Sequence, residues 1–184
     1  NHGIVTSDQV TQAGIPRRCL SDMVKSGTIY KVARGIYALP EVLEDEMFFI
    51  QYRFSKGIFS HETALYLHGM TDRTPIRYTM TFPWDYNTGS VKKQGIVAKL
   101  STADNYDLGI ITLTSPGGHP IQVYNIERTL CDIVKARHSA DIQVINQAMK
   151  AYTDSKNKDI ARLINYADQL RVTQKVLKYL EVLL

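Results

Sequence analysis

The stretch from Gly3 to Pro40, GIVTSDQVTQAGIPRRCLSDMVKSGTIYKVARGIYALP, constrains the fold more tightly than any other part of the chain. Its punctuation is local and strong. Thr6 and Gln9 stand three apart as in a capping box, where hydroxyl and amide each satisfy the other's orphan backbone donor. The helix that begins there is predicted to end at Gly14, a residue suited to a left-handed cap. Pro16 then opens a second helix, where its fixed φ helps and its missing N–H costs nothing, and Gly27 closes it. Ile29 to Val32 and Ile36 to Leu39 read as strands around a turn at Ala33-Arg34-Gly35. Two short helices followed by a hairpin make a winged helix-turn-helix.

The second helix is two-faced. Leu20, Met23 and Val24 share one side, and Arg18, Ser21, Asp22 and Lys25 the other, with Arg17 at the flank. Two arginines at a helix N-terminus oppose the macrodipole, which points to an external anion. Lys31 and Arg34 would belong to the wing. The candidate DNA contacts are therefore Arg17, Arg18, Ser21, Lys25, Lys31 and Arg34, with the helix aimed at base edges in a major groove. A protein-binding winged helix with solvated charges is the alternative. Charge partition favours DNA. Residues 1–40 hold five basic groups against Asp8 and Asp22, a net of +3, whereas the remainder holds 17 basic against 16 acidic groups.

The chain opens at Asn1-His2-Gly3 without methionine, like the end of a turn after a helix. The sequence is therefore expected to begin partway through the protein, after a helix that would pack on Val10 and Leu20. Past Pro40, residues 41–184 read as a second domain. A connecting helix is predicted over Val42 to Lys56, with Glu41, Glu44, Asp45 and Glu46 around its first turn. Ser60 caps another, ended by Gly69. From Ile76 the period becomes two: Tyr78, Met80 and Phe82 alternate with threonines as a half-buried strand. Ile96 to Leu100 suggests another strand, Gly109 to Thr114 a central one, and Ile121 with Val123 a further one. Asn125 caps a helix from Ile126 to Arg137, and two or three helices follow from Ala140, broken around Asp154 to Asn157. The fold class is α+β: an N-terminal winged helix-turn-helix (1–40) and a C-terminal mixed α/β domain (41–184) with a small sheet and flanking helices.

Composition excludes several classes. With 184 residues and 44% hydrophobic side chains there is material for a core, and no apolar run is long enough to span a bilayer. Cys19 and Cys131 read as lone buried hydrophobes of a reducing, cytoplasmic compartment. His61-Glu62 lacks the second histidine of a zinc-protease motif, since Leu65 stands there. His61 and His68 could share a helix face, but no third metal ligand accompanies them. Ser115-Pro116-Gly117-Gly118 lacks the ending of a phosphate loop. Glu127 and Asp132 are the best acid/base pair available, and at five apart they do not share a face. Tyrosines interspersed with Lys92, Lys93 and Lys99 admit an RNA surface, though tyrosines packed with outward hydroxyls explain them more simply. The residues assemble no catalytic centre, metal site or cofactor site.

The run GIPRRCLSDMVKSGTIYKVARGIYALP, and ARGIYALP at Ala33 to Pro40 above all, resembles the N-terminal domain of the abortive-infection type IV antitoxins, AbiEi-like. VYNIERTLCDIVK at Val123 to Lys135 resembles a recurring segment of that family's second domain, and marks Glu127, Arg128, Thr129 and Asp132 as its motif. The resemblance implies a non-enzymatic antitoxin of a phage-defence system that represses its own operon. Its partners would be operator DNA with inverted repeats, and a co-encoded nucleotidyltransferase-like toxin opposed without a stable complex. Direct binding of the toxin, or enzymatic reversal of its modification, are the alternatives.

Overall fold

Helix α1 (Ser7–Gln12) begins where the capping box places it. Gln9 N–H donates to Thr6 Oγ1 at 3.2 Å and Thr6 N–H to Gln9 Oε1 at 2.9 Å. Gly14 and Gly27, at φ 73° and 74°, end α1 and α2 (Arg18–Lys25). In each, an amide past the glycine reaches back to the last turn, Ile15 N–H to Val10 O and Thr28 N–H to Met23 O, both at 3.0 Å. Strands β2 (Tyr30–Ala33) and β3 (Ile36–Ala38) form the hairpin, its bend at Arg34-Gly35. A strand not foreseen in the sequence, β1 (Ile4–Thr6), precedes α1 and pairs antiparallel with β3, giving the order β1-β3-β2. Three residues are too few to show a period, and their partner lies thirty residues on.

This computed structural model describes residues 3–40, 45–135 and 141–183. Contacts divide the chain into two compact units, Asn1–Ser55 with Thr114–Ile121 and Lys56–Leu113 with Gln122–Leu184. The first unit thus runs past Pro40. It takes in α3 (Glu46–Arg53), where a connecting helix was expected; Glu41, Leu43 and Glu44 lie outside the described residues. Phe48, Phe49 and Tyr52 of α3 pack against Ile4, Ile36 and Ala38 of the small sheet. A second cluster joins Val10, Leu20 and Ile29 between the helices and the strands.

The second unit begins with β4 (Ile58–Phe59) and α4 (His61–Leu67), then β5 (Thr79–Pro83), α5 (Gly89–Lys93), β6 (Val97–Ser101) and α6 (Ala103–Tyr106). β7 (Ile110–Thr114) and β8 (Pro120–Tyr124) complete a mixed sheet of order β6-β5-β4-β8-β7. β4 pairs antiparallel with β5 and parallel with β8. The sequence expectation of a central 109–114 strand is corrected: β7 lies at the edge, and two-residue β4 holds the middle. β-branched residues mark strand propensity rather than rank in a sheet, and Thr112 and Thr114 of β7 are exposed. β5 is buried on both faces rather than half-buried, because its threonines have buried partners. Thr79 N–H donates to Thr63 Oγ1, and the Thr81 hydroxyl to Ser60 Oγ, both at 2.8 Å.

Four helices finish the chain: α7 (Ile126–Lys135), α8 (Ile142–Asp154), α9 (Ile160–Gln169) and α10 (Thr173–Leu183). The Arg137 end expected for α7 lies outside the described residues. Asn125 caps α7, its side-chain oxygen accepting from Arg128 N–H at 2.9 Å. Every residue of α7 from Glu127 to Val134 is buried, so this helix is the axis of the unit. Its apolar side chains join α8, α9 and α10 in one core with Leu65, Met149, Tyr152 and Leu163.

A fully buried guanidinium sits within that axis. Arg128 is 2% exposed and pairs with Asp132 at 3.1 Å one turn on. It also donates to the carbonyls of Asn105 and Leu108, and lies 4.3 Å from the centre of the Tyr124 ring. Removing one partner of a buried pair strands the other's charge. Arg128→Met should therefore lower unfolding stability by about 3–5 kcal/mol in urea titration. Arg128→Met combined with Asp132→Leu should recover part of that loss, because no lone carboxylate then remains buried.

Candidate nucleic-acid interface

The first unit carries its basic groups on three elements, and they are not equivalent. Arg17, the N-cap residue of α2, turns back on its own unit. Its Nε donates to Thr11 Oγ1 at 2.8 Å and a terminal nitrogen lies 3.3 Å from Asp8. Tyr52 of α3 donates its hydroxyl to the other Asp8 oxygen at 3.1 Å. Asp8 therefore offsets the positive charge that the sequence left unexplained at this helix start. The need for an external anion falls on one arginine rather than two.

Arg18 is that arginine. Its side chain is 89% exposed, and among the described residues its one ion-pair partner is Asp22 at 3.9 Å, also exposed. Such an exposed pair one turn apart is worth roughly 0.3–0.5 kcal/mol and is readily exchanged for a phosphate or base. Ser21 and Lys25 are exposed on the same helix, Lys31 on β2 and Arg34 at the bend. Lys25, Lys31 and Arg34 make no ion pair among the described residues. α2 packs along β2, so the helix and the wing strand that bears Lys31 are neighbours.

Two expectations for α2 are corrected. Met23 is 39% exposed rather than part of the apolar side, which reduces to Leu20 and the half-buried Val24. Cys19 is exposed, since Leu20 takes the single inward direction at this end of the helix. Cys131 is buried as expected. Burial pushes its thiol up to about 12, so it stays protonated.

The motif Glu127, Arg128, Thr129 and Asp132 lies wholly in the interior of the second unit. Glu127 accepts from the Tyr152 hydroxyl at 3.2 Å and faces Arg162 at 3.8 Å. The Thr129 hydroxyl donates to the Tyr124 carbonyl at 3.3 Å. Glu127 and Asp132 are thus engaged separately, and the motif holds helix to sheet. Ser115 and His119 were not singled out together, yet both bond the buried Asp45. The Ser115 hydroxyl and His119 Nδ1, at 2.8 Å, share the single oxygen Oδ2. A serine nucleophile would need its hydroxyl in line with the ring, so this arrangement is a clamp on α3. Asp45 and His119 stand 74 residues apart, a separation that leaves no mark on local pattern.

His61 and His68 also go separate ways. His61 Nδ1 is 3.1 Å from Ser60 Oγ, while His68 Nε2–H donates to the Tyr124 carbonyl at 2.7 Å. Among the described residues no group of three His, Cys, Asp or Glu side chains is placed to hold a metal ion. No described helix is long and apolar enough to cross a membrane.

With this geometry in place, comparison with known proteins is informative over a defined span. Residues 1–40 match the family of AbiEi antitoxin transcriptional regulators. The match ends with the wing, and it supports a regulator and antitoxin role. Curated proteins yield no match. Among solved structures, the RV2827C protein of Mycobacterium tuberculosis aligns with a TM-score of 0.60 at 13% identity. The alignment covers 96% of this chain and 72% of that one. At this identity the likeness concerns the fold, which is α+β through both units.

Burial lowers the pKa of both His61 and His68, so the folded state resists their protonation. The unfolded chain, with ordinary values of 6.5, then binds more protons in mild acid. Stability should be full above about pH 6.5 and fall as pH drops below it. His68→Gln, which retains a donor, should flatten part of that slope in thermal melts across pH. An unchanged slope would mean that His68 titrates alike in both states.

Proposed function

We propose that this protein is the antitoxin of a type IV toxin–antitoxin system and represses its own operon. The first unit binds operator DNA, with α2 in a major groove and the β2–β3 bend against the backbone or an adjacent minor groove. The second unit, in the cytoplasm, counters a co-encoded nucleotidyltransferase-like toxin without catalysis of its own. The observation that carries the reading is the row of exposed cations Arg18, Lys25, Lys31 and Arg34, within the same forty residues that match the regulator family. Four charges without strong internal partners, on the elements that a winged helix presents to DNA, favour nucleic acid over a protein partner. The glutamate–arginine motif of α7 serves the second unit's interior in this reading, not the toxin.

Arg17 is held by Thr11 and by an exposed pair with Asp8, so four cations should displace counterions outright and Arg17 joins them only where DNA displaces Asp8. The slope of log K against log salt should be about −3.6 per unit, and shallower where a cation reads a base instead of a phosphate. Arg18→Ala should cost roughly 1–3 kcal/mol and relax preference at one base position, as loss of a guanine contact would. Arg34→Ala should weaken operator and random DNA alike, or remove a preference for narrow A·T-rich minor grooves. Gel shifts on both DNAs across salt test this directly. A salt-independent affinity, or equal losses on both DNAs for Arg18→Ala, would overturn it. Toxin rescue from an unrelated promoter, run on the same variants, separates repression from protection. Rescue lost with Arg18→Ala would mean that the two share a surface.

A further inference from the structure

The second unit contains a cleft of about 540 Å³ that the regulator reading does not use. It opens between α4, the segment leading into β5, β6 and the start of α8, and its lining includes His61, Arg73, Ile76, Arg77 and Lys99. We propose that this cleft binds a phosphorylated ligand of mononucleotide size, with Arg77 and Lys99 on its phosphates and Ile76 against its base. The volume lies within the range of small-ligand pockets and is far below what a folded macromolecule would need.

The charges are distributed for an anion. Arg73 is offset by Asp141 at 3.6 Å, and Glu62 stands exposed at the rim. Arg77 and Lys99 make no ion pair among the described residues. A planar guanidinium fork beside a compact ammonium suits phosphate oxygens better than a single carboxylate. Ile76 is completely exposed, an apolar side chain held in water beside two cations. A free anion would leave it idle, whereas a nucleobase would cover it.

His61 is the most constrained residue of the cleft. It adopts φ 53°, a left-handed conformation uncommon outside glycine, and such strain concentrates at ligand sites. The Thr81 hydroxyl donates to Ser60 Oγ, and His61 Nδ1 lies 3.1 Å from the same oxygen. Burial lowers the pKa of the imidazole, so near neutral pH it offers the cleft a hydrogen-bonding ring without adding charge. Thr81 and Ser60 are buried, and their contact with Nδ1 fixes the orientation of the half-buried ring at the cleft.

The inference is independent of the DNA reading, because every residue it uses lies in the second unit. Calorimetric titration of the full chain with ATP, GTP, CTP, UTP and pyrophosphate tests it, with a 5′-phosphorylated pentaribonucleotide as the strand control. At least one nucleoside triphosphate should bind. Arg77→Ala and Lys99→Ala should each weaken it roughly tenfold, and Ile76→Ser should weaken the nucleotide while sparing pyrophosphate. Thermal melts of Arg77→Ala and Ile76→Ser should be unchanged, since both residues are exposed, and gel shifts of all three variants should be unchanged, since all lie in the second unit. No binding below about 1 mM would overturn the proposal, as would losses under about twofold in both cation variants. Binding of the pentaribonucleotide alone would replace a small-ligand pocket with a strand site, and overturn it too.

Discussion

A guanidinium withdrawn from water governs the second unit. Arg128 cannot be deprotonated to escape its burial, so the fold must bring acceptors to it. Asp132 supplies charge from the same helix. The carbonyls of Asn105 and Leu108 supply dipoles from α6 and the residues just after it, and Tyr124 supplies a ring face from β8. Two separate segments are thereby held against α7. The cost of stranding any one of these groups is larger than the gain from the pair itself, and such a network specifies geometry more than it adds stability. That is why a charged motif on an otherwise apolar helix need not be a functional surface.

The same logic separates the arginines of the first unit. Arg17 and Arg18 are adjacent in sequence and face the same unfavourable helix end. One is bound to Asp8 and Thr11, and Tyr52 fixes Asp8 in turn. The other is left to solvent with a weak neighbour. Satisfied and unsatisfied charge, rather than charge itself, distinguishes a structural cation from a candidate contact. An interface drawn from sequence counts both.

What could be read from the sequence was local. The capping box at Thr6, the stops at Gly14 and Gly27 and the Asn125 cap depend on residues within a turn, and each forms where the spacing puts it. The failures share a cause. β1 and β4 are too short for a period and exist because distant strands pair with them. β7 carried the stronger β signal yet lies at the edge, because rank in a sheet is set by neighbours. Among candidate site residues, exposure of Arg18, Lys25, Lys31 and Arg34 followed from helix and hairpin geometry. The Asp8–Arg17 bond, the Asp45 clamp and the cleft at His61 join residues with no common pattern in the chain.

The first unit's own dependencies bear on how it can be isolated. The regulator match stops at Pro40, but the small sheet does not end its packing there. Ile4, Ile36 and Ala38 are covered by Phe48, Phe49 and Tyr52 of α3, and Tyr52 also holds Asp8. A fragment of residues 1–40 would expose that apolar face and free Arg17's partner, so it should lack a cooperative thermal transition by circular dichroism. A fragment of residues 1–55 restores α3 and should melt cooperatively. It still lacks Ser115 and His119, leaving Asp45 with its capping bond to Phe48 N–H at 3.1 Å. Its midpoint should therefore fall below that of the same unit in the whole chain. In the whole chain, Asp45→Ala should lower the midpoint, whereas in the fragment, with both partners already absent, it should cost little beyond the cap. Equal effects in both contexts would show that the cap, and not the clamp, is what Asp45 contributes.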